Sequence, residues 1–478
     1  MQRNRDGVQK LFRLFGLFNL LFLVTALFGA GDFEDFKQTQ AQAFTKFLDE
    51  KDNLFDTYLK SEWQEYKSQM PLKFYKSPKP RKIFPTTQKN IKSVGPTVSI
   101  QIDTKNNTPL KIKKDIIKHD IDFDFFGTKL GFNIAQKIQN ALFYPKNQQG
   151  ISNFFEVLAS SDYQYLIKNI KNVCQAMELN DWATYLLVNT ISNKIFKDDD
   201  SVKLFNWFIF NKLGYGVKAG IAKKHVIVMY YTKNKLYATP SYTFKGKKYY
   251  VLSNYNKGAL GNLYSYEQNY EGAEKAFDFS LKKLPLFEMQ KKTKKLQFEE
   301  EGVVYKFPIV YNKNMIDFMA TYPQVDYEIF FNTPMENETS ISLLQSFKKY
   351  LDTKHSSDAI NFVLHFVQKS FGYQVDQEQF KREKVMFAEE TLFYDKSDCE
   401  DRAILFAYLS KKMFGISVVG VKYKNHMATA LYIPMNGDSV KIYNKRYVIA
   451  DPTYVNASIG QSMPQYRSLK PESYIKVF

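Results

Sequence analysis

The sequence is poor in the residues that build disulfide frameworks and metal sites. Its 478 residues include two cysteines, Cys174 and Cys399, and five histidines. Exported proteins that rely on disulfides carry larger, even sets of cysteines, and no cysteine and histidine cluster here has metal-site spacing. No glycine-rich phosphate-binding loop is present either. We expect no metal ion and no cofactor. Cys174 is interpreted as a buried small hydrophobic residue, with a Cys174–Cys399 disulfide as the open alternative.

Apolar runs of membrane-spanning length are absent after residue 31. Before it, a basic flank, an apolar run over 14–30 and small residues at 29–31 are typical of a secretory signal peptide. The run is slightly short for a span of about 20 residues and contains Asn19, so a cleaved signal is favoured over a permanent anchor. We expect the rest of the protein to be periplasmic or extracellular, with no integral membrane domain beyond an N-terminal anchor.

Acidic residues are scarcer than basic ones, 49 against 67, which gives a formal net charge of +18. The lysines are spread along the chain, with local runs only at 291–295 and 79–82, and no nucleic-acid-binding motif accompanies them. This distribution argues against nucleic acid as a partner. It indicates a solvated basic surface, with an anionic envelope surface as the second interpretation.

The hydrophobic share of 44% and the charged share of 24% are typical of a folded chain. We predict a signal peptide or anchor at 1–31, an amphipathic helical segment and a Pro/Lys-rich linker at 32–96, an α+β domain at 97–290, a β-rich region at 291–340 and a second α+β domain at 341–478. Helical spacing predicts a helix or helical hairpin over 36–70, and alternation predicts strands at 303–311 and 327–331.

Two stretches, 199–220 and 397–420, resemble each other in pattern, each with a helix followed by strands. In the first stretch Ser201 takes the place of Cys399. His225 is expected to open the first strand after the helix, so no histidine is expected at the start of the second strand. We predict a degenerate, non-catalytic copy within 181–252, and give nearly equal weight to a coincidental αβ resemblance.

Cys399 is the candidate nucleophile. Ser397 and Glu400 have the spacing of a capping box, which predicts a helix beginning at Cys399. Backbone N–H groups at a helix N-terminus favour the thiolate over the thiol, although the acids at 400 and 401 oppose this effect. A basic partner is therefore needed.

His426 and Asp451 are the candidate partners. His426 opens the predicted strand HMATALYI, and Asp451 closes the strand YVIAD immediately before Pro452. In an antiparallel pair the start of one strand lies beside the end of the other, so the two side chains can be neighbours. The carboxylate would then orient the imidazole, which would accept the thiol proton.

The sequence segments around Cys399, His426 and Asp451 resemble the transglutaminase-like superfamily of cysteine enzymes, specifically its exported bacterial members. The resemblance covers about 387–466 and rests on FAEETLFYDKSDCEDRAILFAYLSKKMFG, NHMATALYI and RYVIADPTYVNASIGQSMPQY. It implies an α+β, papain-like core with the cysteine-bearing helix packed on an antiparallel sheet, and it implies that Cys399, His426 and Asp451 form the triad. The family's oxyanion donor matches Gln374 or Tyr373 in FGYQVD, together with the Cys399 backbone N–H.

The resemblance implies an exported cysteine hydrolase or acyltransferase that acts on amide bonds of protein or peptide substrates through a thioester. The family includes proteases, transglutaminases, deamidases and peptide N-glycanases, so the reaction itself stays open. The alternative is an inactive transglutaminase-like scaffold of the cell envelope that keeps the fold for binding.

Overall fold

The computed structural model describes residues 30–61, 63–73, 83–87, 92–102, 119–254 and 260–478. The predicted signal peptide lies almost entirely outside these residues, and so do residues 74–82 and 88–91 of the predicted linker. No helix in the described part of the chain is long and apolar enough to cross a membrane. The protein is a mixed α+β structure whose sheets are mainly antiparallel.

The first helix ends earlier than its sequence pattern predicts. Helix α1 (Ala30–Leu59) is followed by strand β1 (Trp63–Lys67), so the prediction of helix to residue 70 is wrong. The indole of Trp63 donates a hydrogen bond to the Leu59 carbonyl at 2.8 Å and so caps the helix. Its ring packs edge-on against Tyr266 at 5.5 Å, and this pairing with a distant strand overrides the helical spacing.

The described part of the linker lies along the carboxy-terminal half, as expected for an extended wrap. The Thr86 N–H donates to the Val455 carbonyl at 3.0 Å. The Ser356 N–H donates to the Pro96 carbonyl at 2.9 Å.

The next part of the chain is helical after one short hairpin. The hairpin and five helices are β2 (Ile121–Phe125), β3 (Thr128–Phe132), α2 (Gln136–Gln139), α3 (Gln148–Ala159), α4 (Tyr163–Ala176), α5 (Asp181–Ile195) and α6 (Asp199–Lys212).

The first large sheet follows α6. Its strands are β4 (Val217–Ala222), β5 (His225–Tyr231), β6 (Ser241–Phe244), β7 (Lys247–Tyr250) and β8 (Asn262–Tyr266). With β1 at one edge, the spatial order is β1-β8-β4-β5-β7-β6. Between β5 and β6, Leu236 and Tyr237 form single bridges to other parts of the chain.

The middle of the chain is a hairpin followed by helices. These elements are β9 (Lys291–Glu300), β10 (Val303–Asn312), α7 (Lys313–Ala320), α8 (Tyr327–Phe331), α9 (Asn337–Leu351) and α10 (Ser356–Lys369). The strand predicted at 327–331 is wrong because this segment is helix α8. Its successive residues Phe330 and Phe331 are both buried, whereas a strand would turn them to opposite faces.

The second large sheet lies in the carboxy-terminal part. Short elements lead into it: β11 (Gly372–Tyr373), α11 (Asp376–Gln379), α12 (Ala388–Phe393) and β12 (Lys396–Ser397). Then come α13 (Cys399–Phe414), β13 (Val418–Tyr423), β14 (His426–Leu431), β15 (Ser439–Ile442), β16 (Lys445–Ala450) and β17 (Ser473–Lys476). The spatial order is β15-β16-β14-β13-β17.

The two sheets share one topology. In each case a helix precedes five strands, the first two form the central hairpin, the fourth pairs with the second, and the fifth pairs with the first. His225 pairs with Ala222 at the end of its hairpin, as His426 pairs with Tyr423. The expectation that His225 opens the first strand is therefore wrong. The first strand after the helix is β4, VKAGIA. Lys218 and Gly220 interrupt its apolar alternation, so the sequence pattern does not indicate it.

The first unit nevertheless lacks two of the three candidate triad residues. Helix α6 begins at Asp199, so this residue, and not Ser201, takes the place of Cys399. Val251 follows β7 where Asp451 follows β16. His225 remains, but its side chain is 69% exposed and its Nδ1 lies 3.2 Å from Asp200.

A buried ion pair joins α1 to the first unit. The ammonium group of Lys212 contacts the Asp52 carboxylate, which also accepts hydrogen bonds from Tyr270 at 2.8 Å and Tyr163 at 3.1 Å. Burial lowers the pKa of Lys212 to about 8, although Asp52 opposes this shift. The Asp52 carboxylate is thus the main counter-charge of the Lys212 ammonium group, which lies among aromatic rings.

We expect Asp52→Asn to lower the free energy of unfolding by about 3 kcal/mol, because it leaves a buried ammonium group without its counter-charge. Chemical denaturation of the purified protein measures this change. Asp35→Asn removes an exposed carboxylate from the same helix and should change stability by less than about 0.5 kcal/mol. Equal effects of the two substitutions would contradict the role given to the buried pair.

A second buried carboxyl gives a pH-dependent prediction. Burial raises the pKa of Glu389 from 4.5 to about 7, and the nearby Glu336 adds to the shift. Between these two pH values the folded chain keeps a proton that the unfolded chain has lost. The contribution of Glu389 to stability is therefore present below pH 4.5 and lost as the pH rises through about 7.

Glu389→Gln should consequently raise the melting temperature at pH 8, with a smaller difference from the wild type at pH 4.5. The amide can keep the contacts that the carboxyl makes to the Glu336 N–H and to the Thr339 hydroxyl. Thermal unfolding across this pH range measures the effect, and Glu338→Gln, an exposed position, is the control. A melting temperature at pH 8 that falls in Glu389→Gln would contradict the sign of the effect.

Candidate functional site

Cys399 is the first residue of α13, as the sequence predicts. The cap is shifted by one residue from the predicted Ser397–Glu400 box: Asp398 is the N-cap, and its N–H donates to the Asp401 carboxylate at 3.2 Å. The cysteine is 2% exposed. It therefore lies at the positive end of the helix macrodipole in a buried setting.

The thiol has an acidic environment. Its Sγ donates a hydrogen bond to Oε2 of Glu400 at 3.2 Å. Side-chain ligand atoms of Asp398, Cys399 and Glu400 lie within 4.8 Å of one another, and Glu400 forms a similar group with Asp376 and Glu383. Sequence reasoning anticipated the acid at 400 but missed those at 376 and 383. Carboxylates and thiolates are common ligands of metal cations, so the expectation that no metal ion binds remains a prediction.

His426 and Asp451 meet as the sequence predicts. Nε2 of His426 lies 2.7 Å from Oδ2 of Asp451, and both side chains are buried. The register explains the contact: Thr429 pairs with Ala450, so the end of β16 lies beside the start of β14. The other oxygen of Asp451 accepts the N–H of Thr453 at 3.0 Å, which fixes the carboxylate.

The second nitrogen of the imidazole is buried and has no hydrogen-bond partner among the described residues. The ring lies nearly parallel to Tyr466, with centroids 4.7 Å apart, and to Tyr423 at 6.3 Å. A buried polar atom without a partner costs about 1–3 kcal/mol, and such atoms in native structures often mark a functional site. Nδ1 of His426 is thus held ready for a ligand or a reacting group.

Cys399 lies at the same end of the unit as the His426–Asp451 pair. Among the described residues, no hydrogen bond links its thiol to the free nitrogen of the imidazole. Helix α13 ends at Gly415, a left-handed residue with φ 63°, and the chain returns along β13. The helix is about 24 Å long and the strand about 20 Å, so the turn before His426 comes back to the level of Cys399. The hydrogen bond of the thiol goes to Glu400, so the expected thiol–imidazole contact is not made.

The two sheet faces explain this separation. Met427 and Leu431 belong to the core that contains α13, whereas Ala428 and Ala430 belong to a second apolar cluster with Tyr423 and Tyr466. The imidazole stacks on the tyrosines of this second cluster. His426 therefore lies at the rim of the sheet, on the face away from most of α13.

A hydrogen-bond network connects the cysteine helix to Asp451. Arg402, one turn after Cys399, donates to the Gln368 carbonyl at 3.1 Å and to the Phe371 carbonyl at 2.8 Å. The side chain of Gln368 donates in turn to the Asp451 carbonyl at 2.9 Å. Burial lowers the pKa of Arg402 to about 10. Sequence reasoning missed this pair, although an arginine inside the apolar run RAILFAYL is a signal.

The predicted oxyanion residues lie next to the segment that leads to the cysteine. Tyr373 pairs with Ser397 in the short parallel bridge of β11 and β12, and the Gln374 N–H donates to the Ser397 carbonyl at 3.3 Å. The Tyr373 ring contacts the Arg402 guanidinium, 5.5 Å from its centroid. Their role as donors stays a prediction.

Cys174 is not part of this site. Both cysteines are free, which excludes the alternative of a disulfide between them. Burial raises the pKa of Cys174, and its Sγ lies 3.5 Å from the Thr184 hydroxyl. It is an internal reference for thiol chemistry.

The chain was compared with protein-family models, curated proteins and solved structures, and none of the three comparisons found a match. The resemblance to the transglutaminase-like superfamily thus remains a prediction from motifs, and any assignment of function depends on the geometry of Cys399, His426 and Asp451.

Proposed function

We propose that the protein is a cysteine hydrolase or acyltransferase that acts on amide bonds of protein or peptide substrates. The observation that carries this proposal is the buried His426–Asp451 pair, whose second imidazole nitrogen has no partner among the described residues. A helix that begins with a cysteine starts at the same end of the unit. A papain-like core with a cysteine helix on an antiparallel sheet is part of the proposal.

Each residue has a defined role in the reaction. Asp451 holds Nε2 of His426, and Nδ1 accepts the proton of the Cys399 thiol. The thiolate attacks the amide carbonyl, and the backbone N–H of Cys399, with Gln374 or Tyr373, stabilises the oxyanion. His426 then protonates the leaving amine as the C–N bond breaks, which leaves a thioester that water or a second amine resolves.

One rearrangement must come before this chemistry. The thiol has a single proton to donate, and in this structure it donates that proton to Glu400. Rotation about the Cα–Cβ bond of Cys399, together with a shift at the sheet rim, would transfer the hydrogen bond to His426. This arrangement would be populated in the free protein and favoured further by substrate bound at the rim.

The setting of the reaction also belongs to the proposal. The basic flank and apolar run at 1–31 support an exported protein, periplasmic or extracellular, with a cleaved signal or an N-terminal anchor. The net charge of +18 supports contact with an anionic envelope surface.

A second candidate is an inactive scaffold with the same fold. It is favoured by the hydrogen bond of the thiol to Glu400 and by the ring of Tyr466 that covers the imidazole. In a scaffold the His426–Asp451 pair would serve only to hold β14 against β16. The two candidates differ in the reactivity of Cys399.

We expect Cys399 to react with iodoacetamide below pH 7, because His426 stabilises the thiolate as an ion pair. His426→Ala should abolish this reaction. Mass spectrometry of the two cysteine-containing peptides across pH 5–9 measures both rates in one sample. Cys174, whose pKa burial raises, is the internal control.

Slow labelling of both cysteines that His426→Ala leaves unchanged would overturn the enzyme proposal and favour the scaffold. Asp451→Asn should give an intermediate result, because the imidazole keeps its nitrogen but loses its orientation.

Glu400→Gln should make Cys399 react several-fold faster with iodoacetamide at pH 7. The substitution removes a negative charge 3.2 Å from Sγ that opposes formation of the thiolate. Glu378→Gln, an exposed acid on α11, is the matched control and should have no effect. A slower reaction in Glu400→Gln would show that the carboxylate assists the thiol and does not restrain it.

A further inference from the structure

A cleft of about 220 Å³ opens on the sheet face that carries Tyr423 and Ile449. Tyr423 forms part of its wall. The ring of Tyr423 also stacks with the His426 ring, with 6.3 Å between the two centroids. Ile449, two residues before Asp451, also lines it. The cleft is therefore about one side chain away from the proposed reacting groups.

The cleft is lined by groups that suit a carboxylate. Arg467 and Lys470 supply two positive charges, and Ser439, Ser462 and Ser468 are also at its wall. Asp438 is the one acid in the lining, so the charges of these ionised groups sum to a positive value. Such a lining excludes cationic side chains and favours an anion that can also accept hydrogen bonds from hydroxyls.

The arginine is held in an orientation suited to binding. Its Nε donates to Oδ2 of Asp438 at 3.1 Å, and the same oxygen accepts the Ser462 N–H at 2.9 Å. Asp438 is itself fixed because its N–H donates to the Gly460 carbonyl and its carbonyl accepts the Ile449 N–H. With Nε anchored, the two terminal nitrogens remain as a planar pair, and among the described residues no hydrogen bond occupies them. This is the geometry of bidentate carboxylate recognition.

We infer that this cleft is a subsite for an acidic side chain of a peptide, bound through Arg467 and Lys470 next to the scissile amide. Its role as a substrate subsite rests on the proposed function, whereas the binding of an acidic peptide does not. Tyr474 and Leu469 supply apolar walls for the methylene groups of a glutamate. The subsite would make the enzyme prefer amides close to an acidic residue.

Binding is tested in full-length Cys399→Ala, which has no nucleophile and so leaves the peptide intact. The probe is a fluorescein-labelled tetraglutamate peptide, followed by fluorescence anisotropy at 0.15 M salt, with a tetraglutamine peptide as its neutral counterpart. We expect the tetraglutamate to bind and the tetraglutamine to bind at least about tenfold more weakly.

Four further substitutions locate the binding. Arg467→Ala should weaken tetraglutamate binding by about tenfold, and Arg467→Lys should recover only part of it because the planar pair is lost. Lys470→Ala keeps the Arg467–Asp438 contact intact, so it tests the cleft without disturbing that tie. Lys168→Ala removes the same charge from the exposed face of α4 and should leave the affinity unchanged.

Equal weakening by Arg467→Ala and Lys168→Ala would overturn the inference and assign the binding to the basic surface in general. Absence of tetraglutamate binding would also overturn it. If the peptide binds but Cys399 fails the alkylation test, the cleft stands and the enzyme proposal falls. If the wild type cleaves peptides without preference for glutamate, the reaction stands and the subsite falls.

Discussion

The hydrogen bond between His426 and Asp451 is the constraint on which the candidate site depends. It joins two neighbouring strands at their ends, and it is buried, so neither residue can exchange its partner for water. A register shift of one residue in β16 would turn the carboxylate to the other face of the sheet. The network from Arg402 through Gln368 to the Asp451 carbonyl then relates this fixed pair to the helix that carries the cysteine. The position of the site is thus set by strand pairing, and its distance from the thiol is set by helix packing.

The proposed function gives the thiol two competing acceptors. Glu400 follows Cys399 directly and needs no long-range folding to reach it, whereas His426 comes to the same end of the unit only when the sheet forms. A carboxylate beside a thiol restrains ionisation, while a neutral imidazole promotes it, so the choice of acceptor decides whether the cysteine is inert or nucleophilic. The helix end and the acids act against each other, so a rearrangement that moved the thiol from Glu400 to His426 would change its reactivity. A thiol restrained from ionising would also be slower to oxidise.

The elements that local pattern controls were predicted well. The start of α13, the start of β14 and the pairing of His426 with Asp451 follow from a cap, from apolar alternation and from a proline after the last strand. The failures lie where distant partners decide the structure: Trp63 begins a strand because Tyr266 is there to pair with it, and 327–331 is a helix because both phenylalanines have a buried surface to fill. The acceptor of the thiol could not be predicted, because spacing along a sequence says which groups share an end of a fold and not which of them touch.

The two sheets share one topology, but only the second unit has all three candidate triad residues. Both units place a histidine at the same corner of the central hairpin. In the first unit, Val251 follows β7 at the position that Asp451 has after β16. β5 and β7 pair Tyr230 with Tyr250, whereas β14 and β16 pair Thr429 with Ala450. The first of these pairings lies further from its hairpin corner. An aspartate placed after β7 would therefore not reach His225.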